Sequence, residues 1–261
     1  MLKGELNEDR LPNGKIFRDK LPNSEVLSIG DGIKTVHRPP TTETAIKVAL
    51  TALIEYMNND DTPSIYKALV THFFFENTHP FLDGNGRMGR YLLSSYITNK
   101  FDRFTGFSVA TAIHNNVQQY YKVFKDADSA ENRADLTFFI QKLLMILVSQ
   151  QEKVIKILSQ SREKLDKANE IISQWVNKHH HQLAATSDSL YCNVLYLLAQ
   201  SKLFTNQLDL GIKDNDIIET LKKSNRRYPM TKTKAAIEEL EALGAIEIVS
   251  KRPKQHVITI L

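Results

Sequence analysis

The residues of this chain best equipped for chemistry stand in one unbroken run, His79-Pro80-Phe81-Leu82-Asp83-Gly84-Asn85-Gly86-Arg87-Met88-Gly89-Arg90. An imidazole, a carboxylate, two guanidiniums and three glycines make little sense as core. They make good sense as a site that holds a polyphosphate and moves a proton. Gly84, Asn85 and Gly86 can take backbone angles that other residues avoid, so successive N–H groups can point into one concavity. Met88, Tyr91, Leu92, Leu93, Tyr96 and Ile97 follow with helical spacing. The turn therefore sits at a helix N-terminus, where orphan N–H groups and the helix dipole attract anions. Arg87 and Arg90, three apart, share a helical face, and a planar guanidinium binds phosphate oxygens two at a time. Asp83 stands where a carboxylate can hold Mg²⁺ beside phosphates. His79 alone in the run titrates near neutral pH and is the natural general base. Phe81 alternates with the polar positions and is expected to pin the loop to the core.

Other phosphate and metal sites do not fit. The Gly-x₄-Gly-Lys-Ser/Thr spacing of a P-loop is absent, no strand pattern precedes the turn as a dinucleotide fingerprint requires, and Gly-Asn-Gly supplies no zinc ligands.

The elements that must position this run are legible around it. Apolar and polar residues alternate on both sides of Gly30-Asp31-Gly32, from about 25 to 38, which predicts a β-hairpin that ends at Pro39-Pro40. Thr41 or Thr42 can cap a helix carrying Ile46, Ala49, Leu50, Leu53, Ile54 and Met57. A Phe-rich helix from about Pro63 to Glu76 delivers the chain to His79, with His72 read as packing. Gln151 to His181 lacks Gly and Pro and has helical spacing, so 151–184 reads as a connecting helix ended by His179-His180-His181; adjacent histidines fan out around a helix and do not converge on one ion.

Residues 185–261 follow their own plan. Helices are expected from about Ser187 to Gln200, near Asn215 to Ser224, and from Thr231 to Leu243, the last stopped by Gly244. Two strands, Ala245 to Val249 and His256 to Ile260, then flank a basic tip, Ser250-Lys251-Arg252-Pro253-Lys254. At 261 residues two domains and a sizeable core are expected. No signal-peptide pattern and no long apolar run is present, which predicts a cytoplasmic chain with no membrane partner. The single cysteine, Cys192, allows no internal disulfide and reads as a buried thiol. A net charge of +4 does not by itself argue for nucleic acid.

The run 79–90 resembles the signature of the Fic family, His-x-Phe-x-(Asp/Glu)-Gly-Asn-Gly-Arg-x-x-Arg, at every fixed position. The resemblance implies a mainly α protein: a Fic-type helical bundle with a β-hairpin flap in 1–150. It implies transfer of AMP from Mg²⁺-bound ATP to a Tyr, Thr or Ser hydroxyl of a target protein or of the chain itself. Carried over by position, His79 would deprotonate the hydroxyl and Asp83 would ligate Mg²⁺. Gly84, Asn85, Gly86, Arg87, Gly89 and Arg90 would bind the nucleotide phosphates. The hairpin, with Ile29, Gly30, Val36 and His37, would be the flap that registers a target segment by strand addition. Tyr120-Tyr121 falls where the family lines the adenine side, and Tyr121 is carried as a nucleotide contact. The family's inhibitory string, (Ser/Thr)-x-x-x-Glu-(Gly/Asn), is found neither before the hairpin nor at the C-terminus, which implies a deregulated or truncated form, or a brake supplied by another chain.

Residues 185–261 resemble a winged helix-turn-helix domain, in which Thr231 to Lys234 would open the recognition helix. Lys232, Lys234, Lys251, Arg252 and Lys254 would then meet DNA; with 11 basic against 9 acidic residues in this stretch, a protein partner is an equal reading. The alternatives to adenylyl transfer are a DNA-binding regulator with a nucleotide-sensing Fic domain, and Fic transfer of another nucleotide or phosphate-bearing group. Self-association as a homo-oligomer stays open.

Overall fold

A computed structural model describes residues 16–18, 29–30, 35–59, 61–183, 188–205, 211–224 and 228–261. The chain divides into two compact units, Met1–Lys156 and Ile157–Leu261.

In the first unit, β1 (Ile29–Gly30) pairs antiparallel with β2 (Thr35–His37), Ile29 opposite His37 and Gly30 opposite Thr35. The expected hairpin thus has its strands; its turn, 31–34, and its approach, 19–28, lie outside the described residues. Five helices follow: α1 (Glu43–Asn58), α2 (Ser64–Thr78), α3 (Asn85–Lys100), α4 (Arg103–Asn115) and α5 (Val117–Ala127). Of the two expected caps for α1, Thr42 serves, its hydroxyl accepting the Ala45 N–H at 3.2 Å. Asp102 opens α4 in the same way, one carboxylate oxygen accepting from both Phe104 N and Thr105 N at 2.9 Å. On α3 the buried residues are Asn85, Gly89, Leu93 and Ile97, a strict four-residue stripe. They join a core built on Leu69, Phe73, Val109, Ala112, Tyr120, Phe139 and Leu143.

The expected connecting helix, 151–184, is part of a longer one. Helix α6 runs from Thr137 to His179, opened by Asp135, whose carboxylate accepts the Thr137 N–H at 2.8 Å. Its first half puts Phe139, Leu143, Ile146 and Leu147 into the core of the first unit, and its second half puts Ala168, Ile172 and Val176 into that of the second. A helix that serves two cores has no compositional break near residue 150. A single 3-10 turn, His180–Gln182, follows it. His179 Nδ1 lies 2.8 Å from the Trp175 carbonyl and His180 Nδ1 2.9 Å from Asp188, so the histidines have separate partners.

The second unit contains α7 (Asp188–Phe204), β3 (Ile212–Lys213), α8 (Asp214–Ser224), α9 (Met230–Ala242), β4 (Ile246–Lys251) and β5 (Lys254–Ile258). Its antiparallel sheet has the order β3-β5-β4. Strand β3 was not foreseen: two residues are too few to show an alternation. Leu195, Leu198, Ile217, Ile237, Leu240, Ile246 and Ile258 form the core. His256, fully buried, stands between Asp214 Oδ1 at 2.6 Å and Glu241 Oε2 at 3.2 Å, so β5 is tied to both α8 and α9. Two expectations are corrected here. Thr233 is buried and donates to the Pro229 carbonyl at 3.3 Å, so it is no part of an exposed recognition face. Cys192 is half-buried rather than buried, with burial raising its thiol. Among the described residues no helix is long and apolar enough to cross a membrane.

Helices α3 and α4 meet at Gly106. A Cβ there would collide with Thr98 Oγ1 and stand 2.8 Å from the Thr98 backbone N and 2.9 Å from the Ser94 carbonyl oxygen. Two of these atoms are backbone and cannot step aside. Gly106→Ala is therefore expected to cost about 1–3 kcal/mol through overpacking, read as a lower urea midpoint. An unchanged midpoint would show that the two helices are not so close.

Candidate active site

The site is built at the junction of α2 and α3. Helix α2 ends at Thr78, and His79 takes the left-handed conformation (φ 46°, ψ 59°) while its N–H still reaches the Phe75 carbonyl at 3.1 Å. Histidine tolerates this region better than most side chains, yet it is held there and does not choose it. Arg18, only 4% exposed, supplies the hold. Its Nε donates to the His79 carbonyl at 2.6 Å, its Nη2 to the Thr78 carbonyl at 3.1 Å, and its backbone N–H to the Pro80 carbonyl at 2.9 Å. Nothing in the sequence marked Arg18 for this task, because its partners lie some sixty residues on.

Residues 81–84 are closed from the other side by Asn85. Its buried side chain accepts the Phe81 N–H at 2.8 Å and donates to the Phe81 carbonyl at 2.7 Å. Phe81 meets Phe17 at 5.8 Å between ring centres, so it anchors the loop as expected. Gly84 (φ 83°) begins α3, and no side chain caps it. The N–H groups of Asn85, Gly86 and Arg87 accordingly have no partner within the helix. The first intrahelical bond runs from the Met88 N–H to the Gly84 carbonyl at 2.9 Å.

Both guanidiniums flank this turn. A Cβ on Gly86 would stand 3.1 Å from Arg90 Nη1, and one on Gly84 3.8 Å from Arg87 Nη2. Glycine at 86 thus keeps room for Arg90 beside the first turn of α3. Arg87 Nη2 pairs with Asp83 Oδ2 at 3.2 Å, and both side chains are largely exposed. Such a pair is worth ~0–1 kcal/mol, so the Asp83 carboxylate can change partners. A Mg²⁺ ion fits this donor set. It takes one or two carboxylates and completes its shell with phosphate oxygens and water. A preformed cage is not needed, and among the described residues no group of three or more His, Cys, Asp or Glu is placed to hold a metal ion.

Gly89 faces away from the turn. It packs on α2, where a Cβ would collide with Glu76 Oε1 and stand 3.2 Å from Phe75 Cδ1. Its part in the site is to let α2 and α3 approach. Glu76, His72 and Tyr120 form a buried polar cluster behind Arg90. The Tyr120 hydroxyl and His72 Nε2 are 2.8 Å apart, and the Arg90 charge acts on all three groups. Burial pushes the Glu76 carboxyl up to about 7, against the lowering pull of Arg90. Burial pushes His72 down to about 4, with the Gly89 backbone pulling up and the Arg90 charge adding to the drop. The reading of His72 as mere packing is incomplete, since its ring nitrogen meets Tyr120. A carboxylate within the Phe-rich stretch of α2 was the one sequence signal for this cluster. Tyr121, 60% exposed, meets Tyr120 edge-on at 5.4 Å.

Ile29, Gly30, Val36 and His37 lie in the paired strands β1 and β2. The basic residues expected to meet DNA come from two elements of the second unit. Lys232 and Lys234 are on α9; Lys251 and Arg252 are exposed at the β4–β5 turn. Lys254 donates to Glu241 at 2.8 Å, which ties it to α9.

Residues 3–97, which include the whole of 79–90, match the model of the Fic/DOC family. The chain is also similar to a solved Fic family protein from Desulfovibrio desulfuricans G20, with 21% identity and a TM-score of 0.46. That likeness covers 89% of this chain and 60% of the other.

The buried cluster has a signature in stability. Glu76 titrates near 4.5 unfolded and about 7 folded, so its contribution is present below the lower value and lost as pH rises to the upper. His72 has the opposite sign: 6.5 unfolded and about 4 folded, so its contribution is lost as pH falls through that window. The two slopes oppose each other where the windows overlap. Glu76→Gln removes one, and the variant is expected to gain on the wild type as pH rises from about 5 to about 8, by up to about 3 kcal/mol. Urea unfolding across that range reads the difference; a constant difference would mean that Glu76 titrates normally.

Proposed function

We propose that this chain is a nucleotidyltransferase that moves AMP from Mg²⁺-bound ATP to a hydroxyl side chain of a protein. The observation that carries the reading is the uncapped start of α3, with His79 just before it and Asp83, Arg87 and Arg90 beside it. The match of residues 3–97 to the Fic/DOC family supports the same class of reaction.

The backbone N–H groups of residues 85–87 would receive the α and β phosphates at the positive end of α3. Arg87 and Arg90 would take the β and γ oxygens. Asp83 would hold Mg²⁺, which when bound offsets phosphate charge. His79 would accept the proton of the target hydroxyl as its oxygen attacks the α phosphorus. A new O–P bond forms, the bond between the α phosphorus and the bridging oxygen breaks, and pyrophosphate leaves with its electron pair. The protein mostly positions groups and neutralises charge. The strands β1 and β2 would register the target as an added strand, through Ile29, Gly30, Val36 and His37. Tyr121 would stand on the side of the base.

A second reading concerns residues 185–261. The order α7-β3-α8-α9-β4-β5 with the sheet β3-β5-β4 supports a winged helix-turn-helix domain, with α9 as recognition helix and the β4–β5 turn as wing. Lys232, Lys234, Lys251 and Arg252 would be its phosphate contacts; Lys254 is engaged with Glu241. If so, duplex DNA should bind with an affinity that falls as salt rises, and Lys251→Ala with Arg252→Ala should flatten the salt slope by about 2. Salt-independent or absent binding would leave a protein partner as the role of this unit.

The test of the main reading is incubation with Mg²⁺ and ATP labelled at the α phosphate, alone and with cell lysate. A labelled protein is expected, and it should vanish in His79→Ala while ATP still binds. Arg90→Ala should weaken ATP use by at least about tenfold, as expected for loss of a charge-assisted phosphate contact. Label transferred only from another nucleotide would keep the transferase and change the substrate. No label from any nucleotide would end the reading.

A further inference from the structure

The first half of α6 is apolar on two sides. Phe139, Leu143, Ile146 and Leu147 are buried in the core of the first unit. On the other side Phe138, Met145, Val148 and Ile155 are each between 49% and 56% exposed. A helix that is apolar all round is normally covered all round. The exposed row also has a fixed spacing. With Gln141 and Glu152 it reads 138, 141, 145, 148, 152, 155, in alternate steps of three and four residues. That is the a/d seam of a coiled coil, which a second helix crosses at about 20°. The seam stops at Ile155, because Ser159 and Arg162 take the next two places. Along its edge Gln151 donates to the Thr105 hydroxyl at 3.1 Å, which brings the start of α4 alongside, and there Phe104 and Phe107 are exposed as well. Such an apolar patch with a polar rim marks an interface.

We infer that this face pairs with the same face of a second copy, the two α6 helices running antiparallel. The two polar members of the row select both the occupant and its direction. An antiparallel pair with its two-fold axis between Met145 and Val148 sets Phe138 against Ile155, Met145 against Val148 and Gln141 against Glu152, each across the interface. Every apolar side chain then meets an apolar one. The Glu152 carboxylate meets an amide that can donate to it, with Lys142 beside that amide. The Lys142 ammonium lies 5.1 Å from the centre of the Phe138 ring, at the edge of the seam where the carboxylate arrives. A parallel pair would set Glu152 against Glu152 within an apolar seam, a like-charge contact that disfavours it. A helix of another protein places no condition on this row. A two-fold axis requires the row to match its own reverse, and Gln141 and Glu152 stand at mirror places in it. Both helices are already formed on their own cores, so pairing orders only side chains.

Sedimentation of the full chain over a range of concentrations tests this. Wild type is expected as a reversible dimer. Met145→Glu or Val148→Lys alone should raise the dissociation constant about a hundredfold or more, since each charge enters the seam twice. The chain with both substitutions should dimerise again, because the antiparallel pair sets each new carboxylate against a new ammonium of the other copy. Wild type that stays monomeric at every concentration overturns the inference and leaves the row to a helix of another protein. A dimer indifferent to both single substitutions overturns it by placing the contact elsewhere. Single variants that dissociate, with no recovery when combined, overturn the antiparallel direction. Helical circular dichroism checks that each variant folds. Should a charged variant lose its helices, oxidation of the chain carrying Gln141→Cys and Glu152→Cys decides. The two cysteines together should link two copies, and neither alone should exceed the background of Cys192; no link would overturn the pairing.

Discussion

Between the last turn of α2 and the first turn of α3 the chain must reverse direction within residues 79–84 and still leave backbone N–H groups open to an anion. These demands conflict, because a tight turn normally spends its own N–H groups on closing itself. The conflict is resolved by closing the turn with side chains. Arg18 takes the carbonyls of Thr78 and His79, and Asn85 takes both polar groups of Phe81. A left-handed non-glycine residue costs on the order of 1–3 kcal/mol, while a hydrogen bond from a charged donor contributes about 1.5–3 kcal/mol. Two such bonds from one buried arginine outweigh the strain at His79. Asn85 turns its side chain inward, and its own N–H stays with those of Gly86 and Arg87 at the helix start.

The periodicity of α3 then separates packing from binding. Asn85, Gly89, Leu93 and Ile97 recur every four residues and are buried. Arg87 and Arg90 fall off that stripe by construction, on a face three apart. Gly89 links the two faces. Its missing side chain lets α2 come close enough for Glu76 to lie against it, and this contact brings a carboxyl next to the neighbour of Arg90. A bulkier residue at 89 would push back the element that supports Arg90.

The run 79–90 was legible in the sequence because its composition is abnormal for a core or a plain surface, and each residue acts within a few positions of its neighbours. Helix α1 was legible from its Thr cap and apolar period, and α2 and α3 from their apolar periods. What escaped was long-range or too short. Arg18 acts on residues sixty positions away, and His72 on Tyr120 forty-eight positions away, and no pattern in one chain announces such a meeting. Strand β3 has two residues. Helix α6 misled for a subtler reason. Its apolar face changes partners along its length while its composition stays helical, so a domain boundary lies inside an element and not in a linker.

The two motif arginines differ in how they are held, and on the proposed function the difference would suit two phases of binding a charged substrate. Arg87 is exposed and tied only to Asp83, in a pair worth at most ~1 kcal/mol in water. An arriving phosphate with its cation can part them cheaply, since Asp83 gains the cation as Arg87 gains the phosphate. Arg90 is backed by a buried phenol, a neutral imidazole and a carboxyl raised to about 7. The Tyr120 hydroxyl and His72 Nε2 cannot exchange readily, because either one that moved would lose its buried partner. On that proposal one guanidinium would follow the substrate in, and the other would stand where the charge ends up. Fixed charge of the second kind costs no reorganisation when the reaction runs, which is why such groups contribute most where charge shifts in the transition state.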